Sequence, residues 1–365
     1  MKFSVNQSEL ANALSVAIKG TSSKSTLTIL AGIYVKASQN TLLIQSSNLD
    51  LSIKVSINAL IEEEGSAVIP GKLFLDVVKS LPDMAVLIEV TDFIASIYAN
   101  NSTFTLKTLD PGDFPLFPEI TPEIEAQFPY KQFASMIKST AKIVSHDESH
   151  PILSGILITQ EGNSLKMVAT DSFRLGVAET ELQNCTQSQF EVVISGKFLQ
   201  DIASLPPSEE NISLAVSENQ IIASYNNMTF INRRIEGNFP NYKQLISNDY
   251  KTRIKLSTKD LSDAVRRVSL LSNKISPVQI NIDAESQVLT LISHSQEVGN
   301  AQEIIPCEIE GESVDIAFNY TYVLDGLNSI SDNEVYFELF GPMRPGIFKT
   351  EGKQNFLYLI MPVRI

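Results

Sequence analysis

The residues best suited to hold a metal ion are His146 and His150, four positions apart. On a helix this spacing puts two imidazoles on one face, and Asp147 and Glu148 could add carboxylate ligands. The proline at position 151 breaks a helix at this point, however. The segment is better explained as a polar helix end followed by a loop than as a metal site.

A second candidate for chemistry is the stretch Thr170-Asp171-Ser172, which with a distant histidine would supply the residue types of a hydrolase triad. No glycine elbow surrounds it, and the sequence contains no phosphate-binding loop, HExxH, CxxC or GxSxG motif. An enzyme would need a cleft with convergent titratable groups. We therefore expect a protein without catalysis, cofactor or metal.

Positively charged side chains on the predicted helices favour contact with phosphate groups. On the helix expected after residue 130, Lys138 and Lys142 fall within about 20° of Lys131 at 100° per residue. The apolar stripe lies on the opposite side and comprises Phe133, Ile137, Thr140 or Ala141, and Val144.

The same arrangement recurs on other predicted helices. Lys259 and Arg266 share a face, and Lys72 and Lys197 each open a second helix. Acidic residues concentrate instead in four segments, residues 62–64, 110–125, 209–210 and 308–312. A helix facing water is often charged without binding anything, so the pattern leaves both interpretations open.

Composition restricts the class of protein. A net charge of −14 argues against a uniformly DNA-binding surface but allows a local basic one. No apolar run approaches the roughly 20 residues that cross a bilayer, and the opening MKFSV leads directly into a predicted strand. Cys185 and Cys307 share no ligand spacing, which is typical of free thiols in a reducing compartment. We expect a cytoplasmic protein without a signal peptide.

An internal repeat decides the architecture. The hairpin at residues 152–175 resembles residues 29–51, offset by 123 positions at Gly32 and Gly155. A helix that begins with Gly-Lys occurs at Gly71 and again at Gly196, 125 residues later. A degenerate third copy of the repeat occupies the last third of the chain. Each copy reads as two helices and about eight short strands. The sequence therefore predicts an α+β protein of three repeats, at residues 1–120, 121–249 and 250–365.

Several motifs together resemble one family. They are the opening MKFSV, residues 169–175 (ATDSFRL), 237–242 (GNFPNY), 318–324 (FNYTYVL) and the terminal MPVRI. With the threefold repeat they are similar to the bacterial sliding clamps, the beta subunits of DNA polymerase III, over the whole chain. One departure is His150, where the family often has an arginine.

The resemblance implies three copies of the DNA-clamp fold per chain and two chains joined head-to-tail in a closed ring. Helices would line a central hole and antiparallel sheets would form the outside. Such a ring encircles double-stranded DNA without reading its sequence and tethers the replicative polymerase, which confers processivity. Expected partners are the DNA polymerase III alpha subunit, the clamp loader, and other polymerases and repair proteins that carry a short clamp-binding peptide. The protein would be nucleoid-associated when loaded, and no membrane is involved.

The resemblance also implies three sets of site residues. The DNA-binding set is Lys24, Lys72, Lys138, Lys142, His146, Lys197 and Arg266. The dimer interface is Phe104 and Leu106 on one chain with Leu270 and Leu271 on the other. The partner-peptide pocket is Leu153, Thr170, Ser172, Phe173, Arg174, Leu175, Pro240, Leu245, Asn319, Tyr322, Pro345, Leu359, Met361, Val363 and Arg364.

A repeat-built scaffold that binds proteins but no DNA is the alternative function. Repeats with unpaired strand edges join their neighbours in either case. The lysine arrangement favours the clamp, because contacts to phosphate alone give sliding, sequence-independent attachment.

Overall fold

A computed structural model of the chain describes residues 1–147, 149–182, 189–247, 249–272, 277–295, 297–350 and 355–364. Glu148, Cys185 and Ile365, which entered the sequence predictions, lie outside these ranges. The α-helices are α1 (Gln7–Ala17), α2 (Gly71–Ser80), α3 (Tyr130–Thr140), α4 (Gly196–Ala203), α5 (Thr258–Ser269) and α6 (Tyr320–Asn328). Short 3-10 helices cover Ile18–Gly20, Thr28–Ala31, Pro111–Asp113, Pro151–Ser154 and Tyr242–Leu245.

The strands are short and numerous. The first nine are β1 (Lys2–Asn6), β2 (Gly32–Ser38), β3 (Thr41–Ser47), β4 (Leu51–Asn58), β5 (Leu60–Glu63), β6 (Gly65–Pro70), β7 (Ala85–Thr91), β8 (Ile94–Ala99) and β9 (Ser102–Lys107). The next eight are β10 (Ile124–Pro129), β11 (Gly155–Glu161), β12 (Ser164–Thr170), β13 (Arg174–Glu181), β14 (Gln189–Ser195), β15 (Asn211–Val216), β16 (Gln220–Tyr225) and β17 (Met228–Arg233). The last nine are β18 (Thr252–Ser257), β19 (Pro277–Asp283), β20 (Val288–Ser295), β21 (Gly299–Pro306), β22 (Glu308–Gly311), β23 (Val314–Asn319), β24 (Glu334–Leu339), β25 (Gly346–Lys349) and β26 (Asn355–Ile360).

Contacts divide the chain into two compact units, Met1–Tyr130 with Leu205–Arg234, and Lys131–Ser204 with Ile235–Ile365. The first unit holds antiparallel sheets in the orders β5-β1-β7-β8-β9 and β10-β15-β16-β17-β4-β3-β2-β6. The second holds the orders β14-β11-β12-β13-β26-β25-β24-β18-β22 and β21-β20-β19-β23. The middle third of the chain contributes to both units, and the repeat boundaries at residues 120 and 249 stay a prediction.

Helices follow strands without an intervening loop, and at α1, α4, α5 and α6 the last strand residue caps the helix. Asn6 Oδ1 accepts the Ser8 and Glu9 amides of α1 at 2.9 and 3.3 Å. Ser257 Oγ accepts the Asp260 amide at 3.3 Å, and Asn319 Oδ1 accepts the Thr321 amide at 2.9 Å. Such caps satisfy amides that have no partner within the helix. The α+β class is confirmed, and so are the helices predicted to begin near residue 130, Lys72 and Lys197.

The predicted end of α3 is wrong. The apolar stripe continues to the buried Val144, yet the helix stops at Thr140. In a longer helix the Ala141 carbonyl would accept the Ser145 amide, but it accepts Gln200 Nε2 at 3.0 Å instead. The Ser145 amide bonds to the Leu153 carbonyl at 2.8 Å. These tertiary hydrogen bonds replace the helical ones, so Lys142 lies beyond the helix.

In the second unit one face of the nine-stranded sheet is covered by the segment that follows residue 235. Leu157, Val168, Leu175 and Leu359 form its core. Residues of the covering segment that pack there are Phe239, Tyr242, Ile246 and Tyr250. The segment therefore fixes the position of the sheet residues beside the predicted pocket.

Candidate functional site

The predicted peptide pocket is built around the turn between β12 and β13. Asp171 Oδ1 accepts the amides of Phe173 and Arg174, both at 3.0 Å. Thr170 Oγ1 donates to the Arg174 carbonyl at 2.7 Å, and Ser172 has a φ of +77°. This tight turn directs Phe173 outward, where 59% of its surface is exposed. The Asp171 carboxylate stabilises the turn, so it is already occupied as a hydrogen-bond acceptor.

Arg174, which the resemblance placed in the peptide pocket, points inward. Its Nε donates to Asp171 Oδ2 at 2.8 Å and its Nη1 to Asp325 Oδ2 at 2.5 Å. Nη2 donates to the Lys142 carbonyl at 3.1 Å, and the guanidinium lies 4.5 Å from the Tyr322 ring centroid. Only 8% of Arg174 is exposed. Its donors are therefore used within the protein.

The electrostatics of this cluster keep Arg174 charged and Tyr358 neutral. Burial lowers the pKa of Arg174, but Tyr358, Asp325 and Asp171 outweigh burial and raise the pKa overall. Burial raises the pKa of Tyr358. The neutral Tyr358 hydroxyl donates to the Tyr322 carbonyl at 2.9 Å, which fixes the first turns of α6 against β26.

Two residues of the predicted pocket, Phe173 and Tyr322, form an aromatic pair. Phe173 stacks on Tyr322 with centroids 6.4 Å apart and an angle of 24° between the rings. Because Arg174 lies on the Tyr322 ring, both aromatic side chains are supported from within. The exposed Phe173 ring and half-buried Tyr322 ring can accept an apolar side chain of a ligand.

Met361, Val363 and Arg364 of the predicted pocket lie on the C-terminal tail. The Met361 amide donates to the Phe173 carbonyl at 2.9 Å, and the Val363 amide to the Ala317 carbonyl at 2.9 Å. Met361, Val363 and Arg364 are exposed. The tail is thus held by main-chain hydrogen bonds while its side chains remain accessible.

The remaining pocket residues separate by burial. Leu175 and Leu359 are register partners in the core of the sheet, and Leu153 is also buried. Pro240 and Leu245 are exposed on the covering segment, whereas Asn319 and Pro345 are half-buried. The side-chain oxygen Oδ1 of Asn319 is occupied as the cap of α6.

Sequence reasoning missed Asp325, Tyr358 and the Lys142 carbonyl as parts of this site. The spacing of Asp171 and Arg174 was a usable signal for a local ion pair. No local pattern indicates Asp325, because it follows Arg174 by 151 residues.

The predicted DNA-binding face of α3 is exposed and basic. Lys131, Ser135 and Lys138 are exposed, and so is Lys142, just beyond the helix. The residues of the opposite stripe are buried, as expected: Phe133, Ile137, Thr140, Ala141 and Val144. The helix itself carries two lysines and no acidic residue. Phosphate contact is the chemistry that this face supports.

The other predicted DNA-binding residues lie in different settings. Lys24, Lys72, Lys197 and His146 are exposed. Arg266 is exposed too, but its guanidinium bonds to Asp263 at 3.4 Å and to Asn328 at 2.9 Å. Arg266 is therefore less available to phosphate than the lysines.

The histidine pair shows no metal geometry. His150 Nδ1 is 2.8 Å from Ser149 Oγ and 3.8 Å from Asp147 Oδ2. Main-chain and side-chain hydrogen bonds from Ser149 lower the pKa of Asp147. Among the described residues, no group of three or more His, Cys, Asp or Glu side chains could hold a metal ion. Over the same ranges, no helix is long and apolar enough to cross a membrane.

The predicted dimer residues lie beside two sheet edges. Phe104 and Leu106 belong to β9, which ends the five-stranded sheet of the first unit. In the second unit β21 ends the four-stranded sheet. Arg267 at the end of α5 pairs with Glu303 of β21, and Leu270 follows with 81% of its surface exposed. An edge strand presents unpaired main-chain groups that a second chain can bind.

Family models for three domains of the DNA polymerase III beta subunit match the chain. The N-terminal domain matches residues 1–118, the central domain 127–241 and the C-terminal domain 243–364. A beta sliding clamp from Staphylococcus epidermidis is 31% identical over all of this chain and 99% of its own. These matches define a class of processivity clamps built from three similar domains.

Solved structures agree with this class. The DNA polymerase sliding clamp of Bacillus subtilis is 31% identical, with a TM-score of 0.93 over all of this chain and 99% of its own. The DNA polymerase III beta chain of Streptococcus pneumoniae is 29% identical, with a TM-score of 0.93 over the full length of both chains. The chain belongs to the DNA polymerase III beta subunit family, the beta sliding clamps. The resemblance found in the sequence is confirmed.

Proposed function

We propose that two copies of this chain close head-to-tail into a ring that encircles duplex DNA. The ring tethers the replicative polymerase and other clients, and it acts by binding rather than by catalysis. The observation that carries this proposal is the match to sliding clamps over the full length of the chain. The clamp would act in the cytoplasm, on the nucleoid.

Ring closure is supported by the sheet edges. Edges β5 and β22 carry glutamates, Glu62 with Glu63 and Glu308 with Glu310, which disfavour pairing with another strand. The β9 edge (STFTLK) carries no acidic residue, and β21 carries Glu303, which Arg267 pairs. Pairing β9 of one copy with β21 of the other would also cover Phe104, Leu106, Leu270 and Leu271.

DNA contact is supported by the exposed lysines of and beyond α3, with Lys24, Lys72 and Lys197 as further contacts. These residues reach phosphates and not base edges, so attachment is independent of sequence. A net charge of −14 is compatible with this function if the basic face lines the hole.

Client binding is supported by the pocket of the second unit. Phe173, Tyr322, Met361 and Val363 offer apolar contact to a short peptide, and methionine adapts to varied side chains. Leu175 and Leu359, which the resemblance also assigns to the pocket, are buried. We assign this pocket to the DNA polymerase III alpha subunit, the clamp loader and other clients.

The decisive test is topological. The protein is loaded onto nicked circular plasmid with its clamp loader and ATP, and the complex is isolated by gel filtration. We expect co-elution with the circle and release after the plasmid is linearised. Retention that survives linearisation would contradict encirclement. No retention, together with intact binding of client peptides, would favour the protein-only scaffold.

A further inference from the structure

The side chain of Arg174 joins two surfaces to which the proposed function gives different ligands. On one side it supports Tyr322, whose ring also stacks on the exposed Phe173 of the proposed pocket. On the other it donates from Nη2 to the carbonyl of Lys142 at 3.1 Å. Lys142 is a proposed DNA contact. The buried guanidinium of Arg174 therefore contacts residues of both the proposed peptide pocket and the proposed DNA-binding surface.

The segment after α3 depends on side-chain hydrogen bonds for its conformation. The carbonyls of Ala141 and Lys142 are bound by Gln200 and Arg174, respectively. Its packing is also close, since a Cβ added at Gly176, two residues after Arg174, would lie 2.2 Å from Ile143 Cδ1. Any shift of Arg174 must therefore move this segment or break its hydrogen bond.

Arg174 also makes several hydrogen bonds on the side of the proposed pocket. Asp171, which bonds to Nε, holds the turn that presents Phe173. Nη1 bonds to Asp325 of α6 at 2.5 Å and lies 3.4 Å from the Tyr358 hydroxyl. The Phe173 carbonyl in turn accepts the Met361 amide. A peptide that contacts Phe173 or Met361 thus acts on groups that Arg174 holds.

We infer that Arg174 is a positioning residue that couples the proposed client-peptide pocket to the segment at residues 141–145, which carries the proposed DNA contact Lys142. Peptide binding stabilises the turn and Tyr322, these fix the guanidinium, and the guanidinium fixes the Lys142 main chain. This inference rests on the proposed function of both surfaces. By reciprocity, a change that loosens residues 141–145 weakens peptide binding.

Hydrogen exchange measured by mass spectrometry tests the coupling, with and without a fluorescent peptide from the clamp-binding segment of the polymerase III alpha subunit. Peptide affinity is measured separately by anisotropy. In the wild-type protein we expect bound peptide to slow exchange at residues 141–145 and at Met361. In Arg174→Lys the charge remains, but a lysine cannot bond to Asp171, Asp325 and the Lys142 carbonyl together. Without peptide, we expect hydrogen exchange at residues 141–145 and at Met361 to be about tenfold faster in Arg174→Lys than in the wild-type protein. We also expect bound peptide no longer to slow exchange at residues 141–145 in this variant.

Two further variants separate coupling from general loss of stability. Asp325→Asn keeps the guanidinium and removes one charged partner. We expect it also to speed hydrogen exchange at residues 141–145 and at Met361, but by less than Arg174→Lys does. Arg253→Lys alters another partly buried arginine of the same unit, which lies 3.5 Å from Glu338 and 4.0 Å from the Tyr336 ring centroid. That control should leave the peptide effect at residues 141–145 intact.

The outcomes are distinct. If peptide binds the wild-type protein but leaves exchange at residues 141–145 unchanged, the coupling is wrong and the pocket stands. A peptide effect that persists at 141–145 in Arg174→Lys also overturns the role of Arg174. If peptide does not bind the wild-type protein at all, the proposed pocket fails, and the inference fails with it.

Discussion

The Met361 amide donates a hydrogen bond to the Phe173 carbonyl at 2.9 Å, so the C-terminal tail is tied to the turn that presents the most exposed aromatic ring of the pocket. The Val363 amide adds a second tie to Ala317 at 2.9 Å. Chain ends are usually loosely held. These two main-chain hydrogen bonds hold Met361 and Val363 in place.

We expect deletion of residues 361–365 to weaken binding of a client peptide by about 2–4 kcal/mol, the range of an interface hot spot. The deletion removes the Met361 and Val363 side chains and the two main-chain ties. Isothermal titration calorimetry with the alpha-subunit peptide measures the loss. Met361→Ala is the matched variant, because it keeps the ties and removes one side chain. Undiminished affinity of the truncated protein would refute the role of the tail.

Helix α5 was predictable because it carries a complete local signal. α5 has its cap at Ser257 and its buried stripe at Leu261, Val265 and Val268, and the structure contains all of these. The end of α3 was not predictable, because it depends on Gln200, 59 residues from Ala141. Local periodicity continues past Thr140, and tertiary hydrogen bonds override it.

The candidate site, too, was only partly predictable from the sequence. The motif at residues 169–175 located the turn, and the resemblance located the tail. Sequence could not tell that Arg174 points inward, because its partners Asp325 and Lys142 are distant in the chain. Leu175 and Leu359 also read as pocket residues, although both are buried core residues of adjacent strands. The DNA and dimer assignments remain predictions.

Dimer formation is expected to depend on the apolar side chains beside the two edges. Replacing Leu270 and Leu271 by alanine removes apolar side-chain surface beside the edge. In a single copy of the chain, 81% of the surface of Leu270 is exposed. Packed apolar clusters dominate subunit association, so we expect folded monomers in size-exclusion chromatography with light scattering. Leu116→Ala is the control, since Leu116 is 93% exposed and lies outside both edges. A double variant that stays dimeric at low concentration would refute this interface.

Tyr130 is expected to make stability pH-dependent in the alkaline range. Burial, followed by the neighbouring Tyr225, raises the pKa of Tyr130 to about 12. Its hydroxyl donates to the Leu205 carbonyl at 2.8 Å. An unfolded tyrosine releases its proton near pH 10. The contribution of protonated Tyr130 to the stability of the fold is therefore complete below pH 10 and is lost as the pH rises to about 12.

Tyr130→Phe keeps the ring stacked on Tyr225 and removes the titration. At pH 8 we expect this variant to be less stable by about 1 kcal/mol, the contribution of one hydrogen bond. Between pH 10 and 12 the difference from the wild-type protein should shrink or reverse, as measured by urea unfolding. A difference that is constant with pH would show that Tyr130 does not titrate in this way.

The basic face of and beyond α3 is expected to contribute directly to DNA retention. Lys138 and Lys142 are both exposed, and removing one lysine–phosphate pair lowers the salt slope of binding to duplex DNA by about 0.9. Lys138→Glu with Lys142→Glu should therefore reduce the slope by about 1.8 and shorten retention on nicked circles. The control, Lys36→Glu with Lys243→Glu, makes the same charge change at exposed residues outside the α-helices and should leave the slope unchanged. An equal reduction in both double variants would mean that net charge, and not this face, governs retention.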